Sequence, residues 1–237
     1  MLNPTVLLLA CADGSSVPTP FQSAPLSPVD PFSQGRKVAY SGPDGVSAGV
    51  VQASGSLTVD DYPYTEVIVV HSGHLVLQSL GQTLELAPGA SAVIGYGTAL
   101  QLEAHANTLW AFCAVTSPVA ERNPGLTALD PLAMLSPSAA PEPQILIGPT
   151  PQCRSRNAFE DNTTELRVGV WDSTPYSRHG RPHKLNELMH LIEGSVTLQA
   201  PDGTSLTVNT GDTVFVPYGA PCSWTSTRYV RKFYAVK

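Results

Sequence analysis

Charge is what this sequence has least of. Only 14% of its 237 residues are Asp, Glu, Lys or Arg, and the basic ones form no cluster, although the formal net charge is -6. Without a basic face there is no electrostatic footprint for nucleic acid, so that class of partner is excluded. Cysteine is equally sparse. Cys11, Cys113, Cys153 and Cys222 are far apart and form no C-x-x-C pair, which implies neither a structural zinc site nor a disulfide framework and suits a reducing cytoplasm. No apolar run approaches the roughly 20 residues of a membrane-spanning helix, and no membrane partner is expected. Leu8-Leu9-Ala10-Cys11 looks superficially like a lipoprotein processing site. The run lacks a basic segment before it and is short for a signal, so residues 5–12 read as a buried strand.

Turn formers are plentiful instead: 22 Pro and 19 Gly accompany 42% hydrophobic residues. That balance suits short strands broken by many turns, and the class expected is all-β. Residues 13–43 are rich in Pro, Ser and Gly and read as an extended arm docked through Phe21 and Phe32. From Pro118 to Pro151 prolines recur too often for a continuous helix or a central strand. This stretch reads as a linker, with one helical turn near residues 129–135.

On either side of the linker the chain repeats itself at an offset of about 120 residues. VSAGVVQAS (46–54) aligns with LRVGVWDST (166–174), EVIVVHSGHLVLQ (66–78) with ELMHLIEGSVTLQ (187–199), and GASAVIGYG (89–97) with GDTVFVPYG (211–219). Glu66 thus corresponds to Glu187 and Gly73 to Gly194. Short Val-, Ile- and Thr-rich runs separated by Gly-containing turns indicate hairpins, and closing them into barrels removes exposed edges. The organisation expected is a first barrel with its arm (1–116), a proline-rich linker (117–151) and a second barrel (152–237).

The second repeat resembles the cupin superfamily, whose motifs run G-x5-H-x-H-x3,4-E-x6-G and G-x5-P-x-G-x2-H-x3-N. Glu187-x6-Gly194 matches the end of the first, and Gly211-x5-Pro217-Tyr218-Gly219 matches most of the second. The closing APCSWTSTRYVRKFYAV, with Val168-Gly169-Val170-Trp171 upstream, is similar to small cupins grouped with the ureidoglycine aminohydrolase cupin domain. The fold this implies is two tandem double-stranded β-helix (jelly-roll) barrels. In the motif register His183 takes the second histidine position, Arg181 the first, Cys222 the late histidine and Ser226 the Asn.

Alternation along strands sends Glu187, Met189 and Leu191 to one face, and Cys222, Trp224 and Ser226 to one face, both inward if the register holds. His183, Glu187 and Cys222 then supply N, O and S donors suited to one divalent transition metal such as Zn, Mn, Fe or Ni. The opposite reading has no cofactor: a buried apolar Cys222, a hydrogen-bonded Glu187 and a solvated His183. Arg181 favours it, because a guanidinium has no lone pair to give a metal. Arg181 instead suits a carboxylate or ureido oxygen, with Glu187 moving protons. Trp171, Met189, Tyr218 and Trp224 are candidate ligand-contacting walls, joined by whichever of Arg231 and Lys232 points inward, Lys232 being the choice.

His190 is out of phase with Glu187 and faces away from the pocket, and His71 and His74 flank a turn and read as exposed. In the first repeat Tyr62 and Leu100 stand for His183 and Cys222, so that barrel is a structural partner or holds a small neutral ligand at Glu66, Tyr62 and Tyr64. The function expected is binding, with or without transformation, of a small polar carboxylate or ureide. An enzyme of this kind is a ureidoglycine aminohydrolase-like hydrolase, or a dioxygenase or isomerase. The alternative is a non-catalytic ligand-binding or assembly protein, and a homodimer is consistent with the long arm.

Overall fold

The computed structural model describes residues 5–116 and 121–237; residues 1–4 and 117–120, the latter including Pro118, lie outside the described residues. Apart from one 3-10 turn at Pro143–Ile145, regular structure among the described residues is strand. The expected helical turn at 129–135 is absent, its place taken by a tight turn at Pro131 and Leu132. No described helix is long and apolar enough to cross a membrane.

The two repeats fold alike, as all-β jelly-roll barrels. In the first, Thr65–Ser72 lies between Ser91–Ile94 and Leu100–Val115, and in the second Glu187–Glu193 lies between Thr213–Val216 and Val230–Val236. Glu66 pairs opposite Ile94 as Glu187 pairs opposite Val216. The hairpin glycine of each repeat has positive φ, 76° at Gly73 and 86° at Gly194, and a Cβ on Gly194 would stand 2.1 Å from the Tyr229 carbonyl oxygen. Any side chain there would break the turn that starts each hairpin.

Alternation divides each central strand between two cores. Val67 and Val69 face Leu188, Phe215 and Phe233 of the other repeat in one apolar cluster, so the large sheets pack back to back. Ile68 and Val70 fill the first barrel, and Met189 and Leu191 the second. Each fully buried Val, Leu or Phe contributes roughly 1.5–3 kcal/mol.

The chain order of the barrels is not the order in which their edges close. Leu7–Ala10 is a strand, as expected, but it pairs with Thr213–Val216 and belongs to the second barrel rather than the first. Asp212 fixes its end by accepting from the Ala12 amide at 2.9 Å. The equivalent edge of the first barrel is closed by Leu126–Ala128 from the proline-rich stretch. Ser136–Ser138 and Leu146–Ile147, from the same stretch, extend the sheets of the second. The prolines are accommodated because these are short edge strands, where a missing N–H breaks no inner ladder. The arm is docked by Phe32, edge-on to Trp110 at 5.1 Å, and its end, Arg36–Ser41, is a strand of the first sheet.

That strand plugs the first barrel. Arg36 is fully buried, its Nε 2.7 Å from Asp30 Oδ2 and its Nη2 3.0 Å from Glu66 Oε2, with the guanidinium 4.3 Å over Phe112. Tyr62 donates to Glu66 at 2.8 Å and Tyr64 to Asp30 at 2.7 Å. The neutral ligand expected at Glu66, Tyr62 and Tyr64 is displaced by Arg36, which bonds Glu66 and Tyr64, while Tyr62 is taken up by Glu66.

Between the barrels, Thr213 Oγ1 bonds His71 Nε2 at 2.7 Å and His190 Nδ1 at 2.9 Å. His190 does face away from the cavity, but His71 is half-buried at this seam instead of exposed at a turn. Burial lowers His71 to about 4 against a partial pull upward from Asp212; burial, then His71 itself, lowers His190 to about 3.

Two outcomes follow from these clusters. Arg36→Met, which strands two buried carboxylates, is expected to cost about 3–5 kcal/mol in urea unfolding; a loss under about 1 kcal/mol contradicts the plug. The histidines bind protons in the unfolded chain at their ordinary value of about 6.5 but not in the fold until about 4 or 3. Stability should therefore fall as pH drops from 6.5 toward 4, by on the order of 3 kcal/mol per histidine at most. A His71→Gln/His190→Gln variant should show a flatter melting-temperature profile over that window, and a profile parallel to wild type would refute the assignment.

Candidate functional site

The second barrel holds a cavity of about 640 Å³ beside Glu187, at the position that Arg36 fills beside Glu66 in the first. Pairing registers show why. Arg36 pairs opposite Val51, and the equivalent pair is Ser155 opposite Trp171. Trp110 and Phe112, opposite Val70 and Ile68, correspond to Lys232 and Tyr234, opposite Leu191 and Met189. A serine in place of the plugging arginine opens the space, and Ser155, Lys232 and Tyr234 all line it.

Glu187 sits at the cavity with one partner on each oxygen. Lys232 Nζ donates to Oε1 at 2.7 Å, and His183 Nε2 lies 2.9 Å from Oε2. Burial pushes the Glu187 carboxyl up, but Lys232 and His183 outweigh it and hold it well below the usual carboxylate range. Lys232 is the inward member of its pair, as expected, with Nζ 4.9 Å from the Trp171 ring and 5.3 Å from the Trp224 ring. Trp171 and Trp224 meet edge to face at 6.0 Å, and Tyr176 stacks on Trp224 at 5.6 Å. Arg231 points the other way, donating to the carbonyls of Pro131 and Ala133 at 2.7 Å each and fastening the linker to the barrel.

The donor set proposed for a metal does not assemble. Cys222 is buried among Met189, Leu191 and Trp224 but is absent from the cavity lining, and burial pushes its thiol up with only partial offset from Arg178. Among the described residues no three His, Cys, Asp or Glu side chains gather as a metal site. The physical reason is Lys232: its ammonium already neutralises Glu187, and a divalent cation brought there would meet it as a like charge. The residues do not fit a metal.

Arg181, His183, Trp171, Met189, Trp224 and Lys232 all line the cavity with Glu187, whereas Tyr218 does not. Tyr218 is 65% exposed, because its turn is anchored through the backbone, its amide donating to Asn186 Oδ1 at 2.8 Å. Arg181 Nε and His183 Nδ1 are buried without hydrogen-bond partners among the described residues, a costly condition for a polar atom. Sequence reasoning missed Arg178, which lines the cavity and donates to the Cys222 carbonyl at 2.8 Å. A bulge between Arg178 and Arg181 breaks the period of two there, so alternation could not reveal it. It also missed the strap of residues 138–141 on the cavity rim, beside which Glu142 and Lys184 form an exposed ion pair at 2.5 Å.

Comparison with known proteins agrees with this architecture. The EutQ-like cupin domain model matches residues 161–234. No protein of curated function is significantly similar. A crystal structure of a protein with unknown function of the DUF861 family, from Pseudomonas syringae pv. tomato, is 56% identical, with a TM-score of 0.97 over 99% of this chain and 100% of its own. YlbA from E. coli, also DUF861, is 12% identical with a TM-score of 0.54 over 100% of this chain and 93% of its own. A cupin 2 conserved barrel domain protein from Leptotrichia buccalis is 11% identical with a TM-score of 0.58, covering 84% and 86%. These last two show the fold alone. On the first of these likenesses, and on the two barrels that carry it, the chain belongs to the DUF861 family of the cupin superfamily.

Proposed function

We propose that this chain is a bicupin that binds a small organic anion, bearing a carboxylate or ureido group, in the second barrel without a metal. One observation carries the reading. The cavity of a protein whose net charge is -6 is lined by Arg167, Arg178, Arg181, Lys184 and Lys232 against the single carboxylate of Glu187. Such an excess concentrates anions and disfavours cations.

Arg181 orients the anion. Its Nε is unpaired, and a guanidinium fork matches planar carboxylate and ureido oxygens. The aromatic faces of Trp171 and Trp224 exclude water and strengthen each polar contact made inside. Glu187 and His183, 2.9 Å apart, are the groups through which a proton could move if the ligand is transformed. Metal-dependent hydrolysis of a ureide is disfavoured by Lys232, so the grouping with ureidoglycine aminohydrolase bears on ligand class rather than on reaction. The working unit is residues 152–237 completed by Leu7–Ala10 and the segment 136–147, and the scattered, unpaired cysteines suit the cytoplasm.

Calorimetry with millimolar carboxylates and ureido acids tests this. Wild type should bind at least one of them, and Arg181→Gln should weaken binding by about tenfold, the cost of one charge-assisted contact. If wild type binds none, the protein is a structural bicupin.

A further inference from the structure

Lys232 is held more tightly than a simple counter-ion requires. Its strand, Val230–Val236, runs between Glu187–Glu193 and Leu166–Ser173, so its backbone is paired on both sides. Its ammonium is 8% exposed and lies within reach of two indole faces. Of its three N–H donors one goes to Glu187 Oε1 at 2.7 Å, and a second to Met189 Sδ at 2.9 Å. A thioether is a weak acceptor, and a ring face is weaker still as a directed partner. Two donors of a nearly buried cation are therefore under-used, at the wall of the cavity that also holds Arg181 and its unpaired Nε.

We propose that Lys232 is the fixed cation of a metal-free site, presenting N–H donors to a carbonyl oxygen of the ligand while Arg181 takes the ligand's carboxylate. The inference rests on the anion-binding reading above and narrows it: the ligand is a small carboxylate that also carries a carbonyl oxygen. A 2-oxo acid and a ureido acid share that chemistry. Both place a good oxygen acceptor where Met189 Sδ now receives the proton, and exchanging a weak acceptor for a strong one in a low-dielectric pocket favours the carbonyl-bearing anion over its plain homologue. Glu187 keeps the ammonium aimed, and acts here as a positioning residue.

The test compares butyrate, 2-oxobutyrate and N-carbamoylglycine by calorimetry on the full chain. Wild type should bind at least one of the carbonyl-bearing acids about tenfold tighter than butyrate, and the tighter of the two names the ligand class. Lys232→Met leaves Glu187 uncompensated and risks misfolding, so the decisive variant is Glu187→Gln/Lys232→Met, a neutral pair of similar size. It should bind all three acids with butyrate-like affinity. A wild type that binds all three equally, or a double variant that retains the preference, overturns the role of Lys232 while leaving anion binding standing. Failure of all three to bind wild type overturns both. In parallel, wild type exposed to Mn, Ni or Zn salts and desalted should retain no metal by elemental analysis, and stoichiometric retention would also overturn the assignment.

Discussion

A carboxylate buried inside a β-barrel has to be compensated, and the two repeats satisfy that demand in different ways. Glu66 and Glu187 occupy the same register position. Glu66 is met by Arg36, which reaches across the barrel from a strand separated from that of Glu66 by two others, with Asp30 and two tyrosine hydroxyls nearby. The result is a closed network in which both carboxylates are hydrogen-bonded. Glu187 is met by Lys232, a slimmer cation on the adjacent strand, and by His183 at the mouth. The second solution uses less volume and leaves polar atoms unpaired. The difference between a plug and a site thus reduces to which element supplies the cation and how much of the barrel that side chain fills.

The seam between the barrels joins the two repeats through one shared apolar cluster. The strands of the first supply Val46, Val50, Val67 and Val69 to the shared apolar layer that also buries Leu188, Phe215 and Phe233. Phe215 and Leu188 lie on the two strands that hold Glu187 in place. Packing from the first repeat therefore sets the backbone on which the site of the second is built, and the exchanged edge strand Leu7–Ala10 locks the same sheet from its other side. The histidine pair at this seam stays neutral because charging either ring would desolvate a cation between two sheets.

Much of this was legible in the sequence. The repeat follows from aligning the two halves, the all-β class from turn spacing and the shared face of Glu187 and Met189 from period-two alternation, whereas the barrel and the inward phase of that face are what the cupin resemblance implied. Alternation required one of Arg231 and Lys232 to face in, and the structure places Lys232 there. What could not be read were the long-range choices. Nothing local tells that Leu7–Ala10 pairs with a strand 200 residues away, as Ala12 with Asp212 does by hydrogen bond, or that Arg36 and not a ligand answers Glu66. The bulge before Arg181 inverted the phase on which Arg178 would have been found. Tyr218 was placed by motif spacing, and spacing fixes a turn but not the direction of each side chain on it, whereas Cys222 faces the barrel interior with Trp224 as alternation required but stands outside the cavity lining.

The metal question illustrates the same limit from the other side. His183, Glu187 and Cys222 have the right donor atoms, and a motif register puts them near one another, so chemistry of ligand type alone favours an ion. The deciding residue lies outside both motifs. Lys232 contributes a positive charge 2.7 Å from the carboxylate that the ion would need, and removing an ammonium from a nearly buried pair costs several kcal/mol. A metal would have to supply that in addition to its own dehydration, with one imidazole and one shared carboxylate as donors. Charge balance, rather than the inventory of donor atoms, is what sets the Lys232–Glu187 pair against an ion at this position.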